Sequence, residues 1–220
     1  MNTLIENLLK VNLYESDFDD HFQPHDIEEF IQKKLSNCIK NSDGSYSCTG
    51  DVDLDEMDLD KLPVKFKEVK GYFDCSYNKL TSLEGAPQTV GGDFYCSGNK
   101  LKSLKYAPKE VGKGFYCSYN HLTSLEGTPK KVGGGFICSY NYLTSLEGAP
   151  EKVGGYFCCS YNELSFLKGA PKEVGKGFYC SNNKLSTLKG APEKVEDVFV
   201  CSGNYLSEED LRKTVDRDYL

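Results

Sequence analysis

The sequence has little of what hydrolases and membrane proteins need. It contains three histidines in 220 residues, and none of them stands in a pattern that pairs a nucleophile with a base. The first 30 residues contain no long apolar run, so we expect neither a secretory signal nor a membrane-spanning helix. We therefore expect no enzymatic activity and no cofactor, and we look to binding for the function.

Basic charge is also scarce. The formal net charge is −7. Residues 1–70 carry 16 acidic and 8 basic residues, whereas residues 71–206 carry 12 acidic residues and 15 lysines. A nucleic-acid-binding domain normally has a clustered basic footprint. We therefore expect no nucleic-acid partner. The alternative of a weakly basic strip on the loops of the central region stays open.

The chain is instead rich in cysteine, and the cysteines are periodic. Seven of the ten cysteines stand 21 residues apart: Cys75, Cys96, Cys117, Cys138, Cys159, Cys180 and Cys201. A fixed period of this length predicts one small structural unit that is copied and stacked. A stacked array presents one long surface rather than a single pocket.

Each repeat predicts a short strand followed by a turn and a return path. A phenylalanine precedes each cysteine by two residues, as in Phe94 and Cys96, and this alternation is typical of a strand. Glycines come before the strand and an asparagine follows it, so the strand is short. The segment from Leu101 to Pro108 has no useful helical period and predicts an extended or 3₁₀-like path. Equivalent strands then pair in parallel, at roughly 4.8 Å per repeat.

The asparagine column has a physical reason. The chain turns at these positions, and an amide side chain supplies both a donor and an acceptor to backbone groups inside the coil. Leucine, valine, phenylalanine and cysteine columns form the core that stacking closes. The asparagines are Asn78, Asn99, Asn120, Asn141, Asn162, Asn183 and Asn204.

The array begins before the first periodic cysteine. Counting back by 21 residues gives Val52, Leu54, Leu59 and Leu62, all apolar, so we predict eight parallel strands on a concave face. Residues 45–206 form the solenoid. Its first part, 45–54, is predicted to be a capping hairpin that covers the open edge of the first repeat.

These residues resemble a leucine-rich repeat of the short bacterial type. Phe94, Cys96, Asn99 and Leu101 match the second half of the family pattern, and Gly91 replaces its first leucine. The return loops are similar to those of repeats in secreted effectors of pathogenic bacteria. The wording Cys-Ser-Tyr-Asn-x-Leu-Thr-Ser-Leu-Glu-Gly-Ala-Pro is still more similar to repeat proteins of large tailed bacteriophages. The resemblance implies a solenoid fold and a phage-encoded protein.

The N-terminal region, 1–44, lacks the repeat and predicts helices. A capping box over Thr3–Glu6 starts the first helix, and a second helix is predicted over 26–39. The apolar side of that second helix consists of Ile27, Phe30, Ile31, Leu35 and Cys38. Two interpretations stay open: a hydrophobic lid on the first repeats, or a separate partner-binding or dimerising helix pair.

The C-terminal residues 207–220 predict a short capping helix. It starts at Ser207 and turns Leu211 and Val215 inward, toward the last repeat.

The periodic cysteines are unsuited to disulfides or metal binding. Neighbouring thiols in a parallel ladder point the same way, and they do not converge on a tetrahedral site. We interpret them as small packing groups and expect a reducing, cytoplasmic environment. Cys158 differs, because its alternation with Cys159 turns it outward, and it is the one candidate reactive thiol.

Two other polar clusters could be read as metal sites, but we favour a simpler interpretation for each. His21 and His25 resemble loose metal ligands, but Pro24 breaks any helix between them, so we favour a polar loop. The third histidine, His121, lies in an exposed turn without partners. A second cluster at the N-terminal end of the array is either a calcium site or an acidic edge that blocks strand pairing, and we favour the acidic edge. Its members are Asp51, Asp53, Asp55 and Asp74.

Tyrosine supplies the remaining signal. Tyrosines recur at outward positions of the strands and turns, with a column of serines between them. The candidate partner-binding residues are Tyr72, Tyr77, Tyr95, Tyr116, Tyr119, Tyr140, Tyr142, Tyr156, Tyr161 and Tyr179. Single tyrosines are tolerated on a half-exposed sheet. A whole face of them favours recognition, because tyrosine combines large contact area with few rotors and a polar tip.

The sequence therefore predicts a cytoplasmic, non-enzymatic module that binds a folded protein partner through a concave face rich in tyrosine and serine. The alternative is a carbohydrate-binding surface protein with sugars stacked on the tyrosine rings. The resemblance to phage proteins implies a bacterial host or defence protein as the target.

Overall fold

A computed structural model describes the backbone of residues 33–216 and the side chains of residues 33–212. The chain winds into a solenoid in which each 21-residue coil contributes one short strand to each of two parallel sheets. The eight-stranded sheet consists of β3 (Val52–Asp53), β5 (Phe73–Asp74), β7 (Phe94–Tyr95), β9 (Phe115–Tyr116), β11 (Phe136–Ile137), β13 (Phe157–Cys158), β15 (Phe178–Tyr179) and β17 (Phe199–Val200). The predicted eight parallel strands are thus confirmed.

The second, nine-stranded sheet was not predicted. It lies on the return path that the sequence indicated as extended or 3₁₀-like. Its strands are β1 (Cys38–Lys40), β2 (Tyr46–Cys48), β4 (Phe66–Val69), β6 (Thr89–Val90), β8 (Glu110–Val111), β10 (Lys131–Val132), β12 (Lys152–Val153), β14 (Glu173–Val174) and β16 (Lys194–Val195). Most of these strands hold two residues, of which only one is apolar, so no alternation marks them in the sequence.

The core is a stack of identical side chains. From β3 onward, strands in both sheets pair with their equivalents 21 residues away, as in Phe136 with Phe157 and Val132 with Val153. The phenylalanine rings of successive coils stack along the axis, with centroids 5.4 Å apart for Phe136 and Phe157. The seven periodic cysteines are free and buried. Burial raises the pKa of the Cys75 and Cys117 thiols far above the usual range, because the thiolate would lose its hydration.

The asparagine column ties successive coils together as predicted. The Asn141 side chain is buried, and its amide donates to the carbonyl oxygens of Cys117 and Cys138, both at 3.1 Å. Its Oδ1 accepts a hydrogen bond from the backbone N–H of Leu122 at 2.9 Å. One side chain therefore satisfies backbone groups of two coils, and the same pattern recurs from Asn78 to Asn204.

A glycine column marks the sharp corner between the two sheets. At Gly112, a Cβ would lie 2.2 Å from the carbonyl oxygen of Gly91 in the preceding coil. The equivalent Cβ at Gly133 would lie 2.3 Å from the Gly112 carbonyl oxygen. Neighbouring backbones approach so closely here that a side chain has no room.

The N-terminal edge corrects two predictions. Cys38 and Ile39 were assigned to a helix but belong to β1, which pairs antiparallel with β2. The edge hairpin therefore spans Cys38–Cys48 rather than 45–54. Residues 33–34 are helical, whereas residues 35–37 of the predicted second helix are not. Residues 1–32, which include His21 and His25, lie outside the described residues.

A disulfide joins Cys38 to Cys48, contrary to the expectation of free cysteines. The parallel-ladder argument holds for the periodic cysteines, but these two cysteines lie outside the repeat. They face each other across an antiparallel pair, which brings their side chains together. The cysteines therefore do not support the inference of a reducing compartment.

The predicted C-terminal helix is present as α1 (Glu208–Asp216). Ser207 caps it, since its Oγ accepts the backbone N–H of Asp210 at 3.1 Å. Leu211 does not face inward as predicted, because 43% of its surface is exposed, and the Val215 side chain lies outside the described residues. Across residues 33–216, no helix has the length and apolar character needed to cross a membrane.

Candidate binding surface on the eight-stranded sheet

Two columns of residues on the eight-stranded sheet carry most of the predicted tyrosines. The strand column, directly before each periodic cysteine and before Leu54 in the first coil, consists of Asp53, Asp74, Tyr95, Tyr116, Ile137, Cys158, Tyr179 and Val200. The turn column, two residues after each cysteine, consists of Tyr77, Gly98, Tyr119, Tyr140, Tyr161, Asn182 and Gly203. The strand-column tyrosines are half-buried and those of the turn column are exposed.

Three turn-column tyrosines form a stacked ladder, which we call the tyrosine ladder: Tyr119, Tyr140 and Tyr161. Their ring centroids are 4.3 Å and 4.2 Å apart, with interplanar angles of 9° and 8°. The spacing follows from the solenoid, because equivalent residues of neighbouring parallel strands lie roughly 4.8 Å apart. Tyr140 stays 40% exposed between its two neighbours, so the ladder presents a continuous row of ring edges.

The backbone under the ladder is left-handed. The φ angles of Tyr119, Tyr140 and Tyr161 are 54°, 56° and 57°, and Tyr77 has 50°. Residues with a Cβ avoid this region, at a cost of roughly 1–2 kcal/mol each. Gly98, Asn182 and Gly203 occupy the same column with the same sign of φ, and they are the residue types that tolerate it. The fold therefore accepts glycine or asparagine here, and tyrosine carries a backbone cost at these positions.

The ladder also changes the acidity of its central member. Partial desolvation, followed by hydrogen bonding to Tyr161 and Tyr119, raises the pKa of Tyr140 to about 12. The phenol therefore keeps its proton to a higher pH than an ordinary tyrosine does.

The strand column is interrupted at its centre. Tyr95 and Tyr116 stack with centroids 4.7 Å apart, and Tyr72 meets Tyr95 edge-on at 6.4 Å. Ile137 and Cys158 come next, and the half-buried Cys158 thiol lies 3.0 Å from the Ser139 hydroxyl. The outward position predicted for Cys158 is thus observed.

The remaining predicted residues flank these columns. Tyr156 packs against Tyr179, with ring centroids 6.0 Å apart, and the Lys176 ammonium lies 5.1 Å from the Tyr156 ring centroid. Tyr142 is exposed beside His121, whose ring lies 5.9 Å away, so His121 has a partner that the sequence did not indicate.

The serine column contributes less surface than predicted. Ser76, Ser118, Ser139 and Ser160 are buried. The exposed face of the array is therefore mainly tyrosine rather than a mixture of tyrosine and serine.

The acidic residues lie at the N-terminal end of the same sheet. Asp53 pairs in register with Asp74, as predicted. Their carboxylates are used locally, since Asp51 accepts the Tyr72 N–H at 2.9 Å and Asp74 accepts the Ser76 N–H at 2.8 Å. Desolvation and the neighbouring acids raise the pKa of Asp55. Within the described part of the chain, no group of acidic, histidine or cysteine side chains has an arrangement that could hold a metal ion.

The exposed Tyr106 was missed by sequence analysis. Tyr106 occupies the return-path column that holds glycine in the other repeats, from Gly85 to Gly190, and it has the same left-handed backbone, with φ of 70°. Its position in a column of glycines was the feature of the sequence that could have revealed it. Tyr106 lies away from the eight-stranded sheet, which makes it a matched control for the ladder.

Comparison with known proteins supports the fold. No family model matches the sequence, and no curated protein matches it. Among solved structures, the chain is similar to one described as the structure of a Shigella effector LRR domain. The two are 23% identical, the match covers 98% of this chain and 91% of that one, and the TM-score is 0.62. The predicted leucine-rich repeat solenoid fold is confirmed, and at this identity the similarity concerns the fold alone.

Proposed function

We propose that the chain is a non-enzymatic protein-binding module that docks a folded partner on the tyrosine-bearing face of its eight-stranded sheet. The observation that carries this proposal is the left-handed backbone of Tyr119, Tyr140 and Tyr161. The backbone of each of these residues carries a conformational cost that glycine or asparagine would reduce, and only the stacking of the exposed rings offsets it. Strained positions of this kind concentrate at functional sites, where the side chain is kept for its use.

The chemistry of the face suits a protein partner. Tyrosine is enriched at protein interfaces, and rigid aromatic anchors carry much of the binding energy there. Stacking holds the three ladder rings in one orientation before a partner arrives, so little rotamer freedom is lost on binding. The half-buried Tyr95 and Tyr116 extend the aromatic surface beside the ladder.

The ladder suits a carbohydrate less well. A sugar stacks on the face of an aromatic ring, but both faces of Tyr140 are covered by its neighbours at 4.2 and 4.3 Å. Only the outer faces of the two end tyrosines remain. We therefore favour a protein partner, which can contact ring edges and hydroxyl groups.

A narrower proposal concerns the source and target. The wording of the repeat resembles phage repeat proteins, and on that resemblance we propose a bacterial host or defence protein as the partner. The place of action would then be the cytoplasm of the host cell.

Affinity capture from a lysate of the native host, followed by mass spectrometry, tests the proposal. The bait is the wild-type chain, compared with the triple variant Tyr119→Asn/Tyr140→Asn/Tyr161→Asn. Asparagine suits the left-handed backbone, as at Asn182, so the variant should fold. We expect the triple variant to lose the captured protein.

The matched control is Tyr106→Asn, which makes the same exchange on the same type of backbone away from the sheet. It should capture as the wild type does. If the triple variant captures the same protein in the same amount as the wild type, the tyrosine face is not the binding site. A glycan array probed with both variants tests the carbohydrate alternative, and a ladder-dependent glycan signal without protein capture would replace our proposal.

A further inference from the structure

An open groove crosses the nine-stranded sheet, on a different side of the coil from the tyrosine ladder. Its volume is about 790 Å³, and it spans the coils between residues 68 and 131. The exposed lining includes four lysines and two glutamates: Lys70, Lys109, Lys130, Lys131, Glu68 and Glu110. The groove therefore carries an excess of positive charge on a chain whose net charge is −7.

The groove lysines are not neutralised by the protein. Among the residues that the structure describes, none of the four forms an ion pair. In later coils of the same sheet, Lys152 pairs with Glu173 and Lys194 pairs with Glu196. The groove therefore holds lysines without ion pairs on a sheet that pairs other lysines further along.

The floor of the groove is accessible backbone. Gly91 and Gly112 line it and are exposed, because the close approach of neighbouring coils leaves no room for a Cβ. The valines beside them, Val90 and Val111, point into the core and are buried. A ligand lying over the glycines can approach the main chain while its charged groups reach the lysines at the rim.

We propose that this groove binds an acidic, extended peptide segment of a partner protein. Lys109 and Lys130 hold the same position in successive coils, roughly 4.8 Å apart along the axis, and Lys131 is adjacent to Lys130. Carboxylates spaced along an extended peptide can meet these lysines in turn. The site is separate from the tyrosine face, so it stands whether or not that face binds protein.

A peptide fits this groove better than a nucleic acid does. Glu68 and Glu110 lie among the lysines and would repel an unbroken run of phosphates. A peptide can place uncharged residues opposite these two glutamates. The lysines are also too few for the broad basic footprint that nucleic-acid binding requires.

Fluorescence anisotropy with a labelled short peptide of alternating glutamate and serine tests the proposal, at low ionic strength and with the full-length chain. We expect the wild type to bind this probe, and Lys130→Gln/Lys131→Gln to weaken the affinity roughly tenfold through loss of two charge contacts. The same peptide with glutamine in place of glutamate should not bind.

The matched control is Lys152→Gln/Lys172→Gln, which removes two lysines from the same two columns outside the groove. It should change the affinity by less than about twofold. Absence of probe binding by the wild type, or equal loss in both variants, would overturn the site. Tighter binding of a short oligothymidylate with the same dependence on Lys130 and Lys131 would overturn the assignment to a peptide. Equal thermal unfolding of the three proteins shows that the comparison concerns binding.

Discussion

Exchange of Tyr140 for asparagine separates a role in stability from a role in recognition. The change removes a tyrosine from a left-handed backbone with φ of 56°. Relief of this conformation should contribute roughly 1–2 kcal/mol to the stability of the variant. Asparagine is already present in the same column at Asn182, so the backbone need not move.

The same exchange removes two ring contacts. Tyr140 stacks on Tyr119 at 4.3 Å and on Tyr161 at 4.2 Å. A stacked aromatic pair contributes roughly 0.5–1.5 kcal/mol, so the loss is about 1–3 kcal/mol. The gain and the loss nearly cancel, and we expect the free energy of unfolding to change by less than about 2 kcal/mol.

Urea denaturation followed by circular dichroism measures this change. Tyr77→Asn is the informative companion, because Tyr77 has the same backbone, with φ of 50°, and lies outside the stacked ladder. We expect Tyr77→Asn to stabilise the chain by roughly 1 kcal/mol. A loss of more than about 3 kcal/mol for Tyr140→Asn would mean that the ladder holds the fold together, and the argument from costly tyrosines would fail.

Three further predictions concern the coil itself. Asn141→Ala should lower the free energy of unfolding by about 1–3 kcal/mol, because it leaves buried backbone groups of two coils unpaired. Asn204→Ala should cost less, because Asn204 is partly exposed. Equal denaturation midpoints for the two variants would contradict this prediction. Cys38→Ala/Cys48→Ala should cost roughly 2–3 kcal/mol without reductant, and dithiothreitol should destabilise the wild type but not the variant. Tyr140 binds its proton more tightly in the folded chain, with a pKa of about 12 against 10 in the unfolded chain. Its contribution to the free energy of unfolding is therefore complete below pH 10 and is lost as the pH rises toward 12. A tyrosinate absorbance titration in which Tyr140→Phe removes no late-titrating group would refute this prediction.

The repeat made the core predictable. The 21-residue period sets the register, so Phe136, Cys138 and Asn141 could be assigned to strand, core and turn without a structure. Because identical coils stack, each residue pairs with its equivalent in the next coil. The Shigella effector domain confirms the fold by structural similarity.

Very short elements, and elements outside the repeat, could not be predicted from the sequence. A strand such as Lys131–Val132 has one apolar residue and no alternation to reveal it. Cys38 fitted a helical pattern that extended from residue 26, although it lies in an edge strand opposite Cys48. The two-residue strands repeat in every coil but are too short to show a pattern, and the Cys38–Cys48 hairpin lies outside the repeat, so the period gave no information about it.

The left-handed turn column was predictable but was missed. Gly98, Asn182 and Gly203 share it with the tyrosines, and glycine alternating with asparagine is the usual mark of positive φ. The sequence identified the tyrosines as exposed. It did not indicate that they stack, because stacking depends on the direction in which a left-handed residue projects its side chain.

The most direct test of the tyrosine face is site-specific photocrosslinking. A photoreactive phenylalanine analogue replaces Tyr140 in one chain and Tyr106 in another, both exposed and both on left-handed backbone. After irradiation in the lysate of the native host, mass spectrometry identifies the attached proteins. We predict one protein crosslinked at position 140 and absent at position 106. The same proteins at both positions, or a specific product at position 106 alone, would contradict the assignment of the binding face.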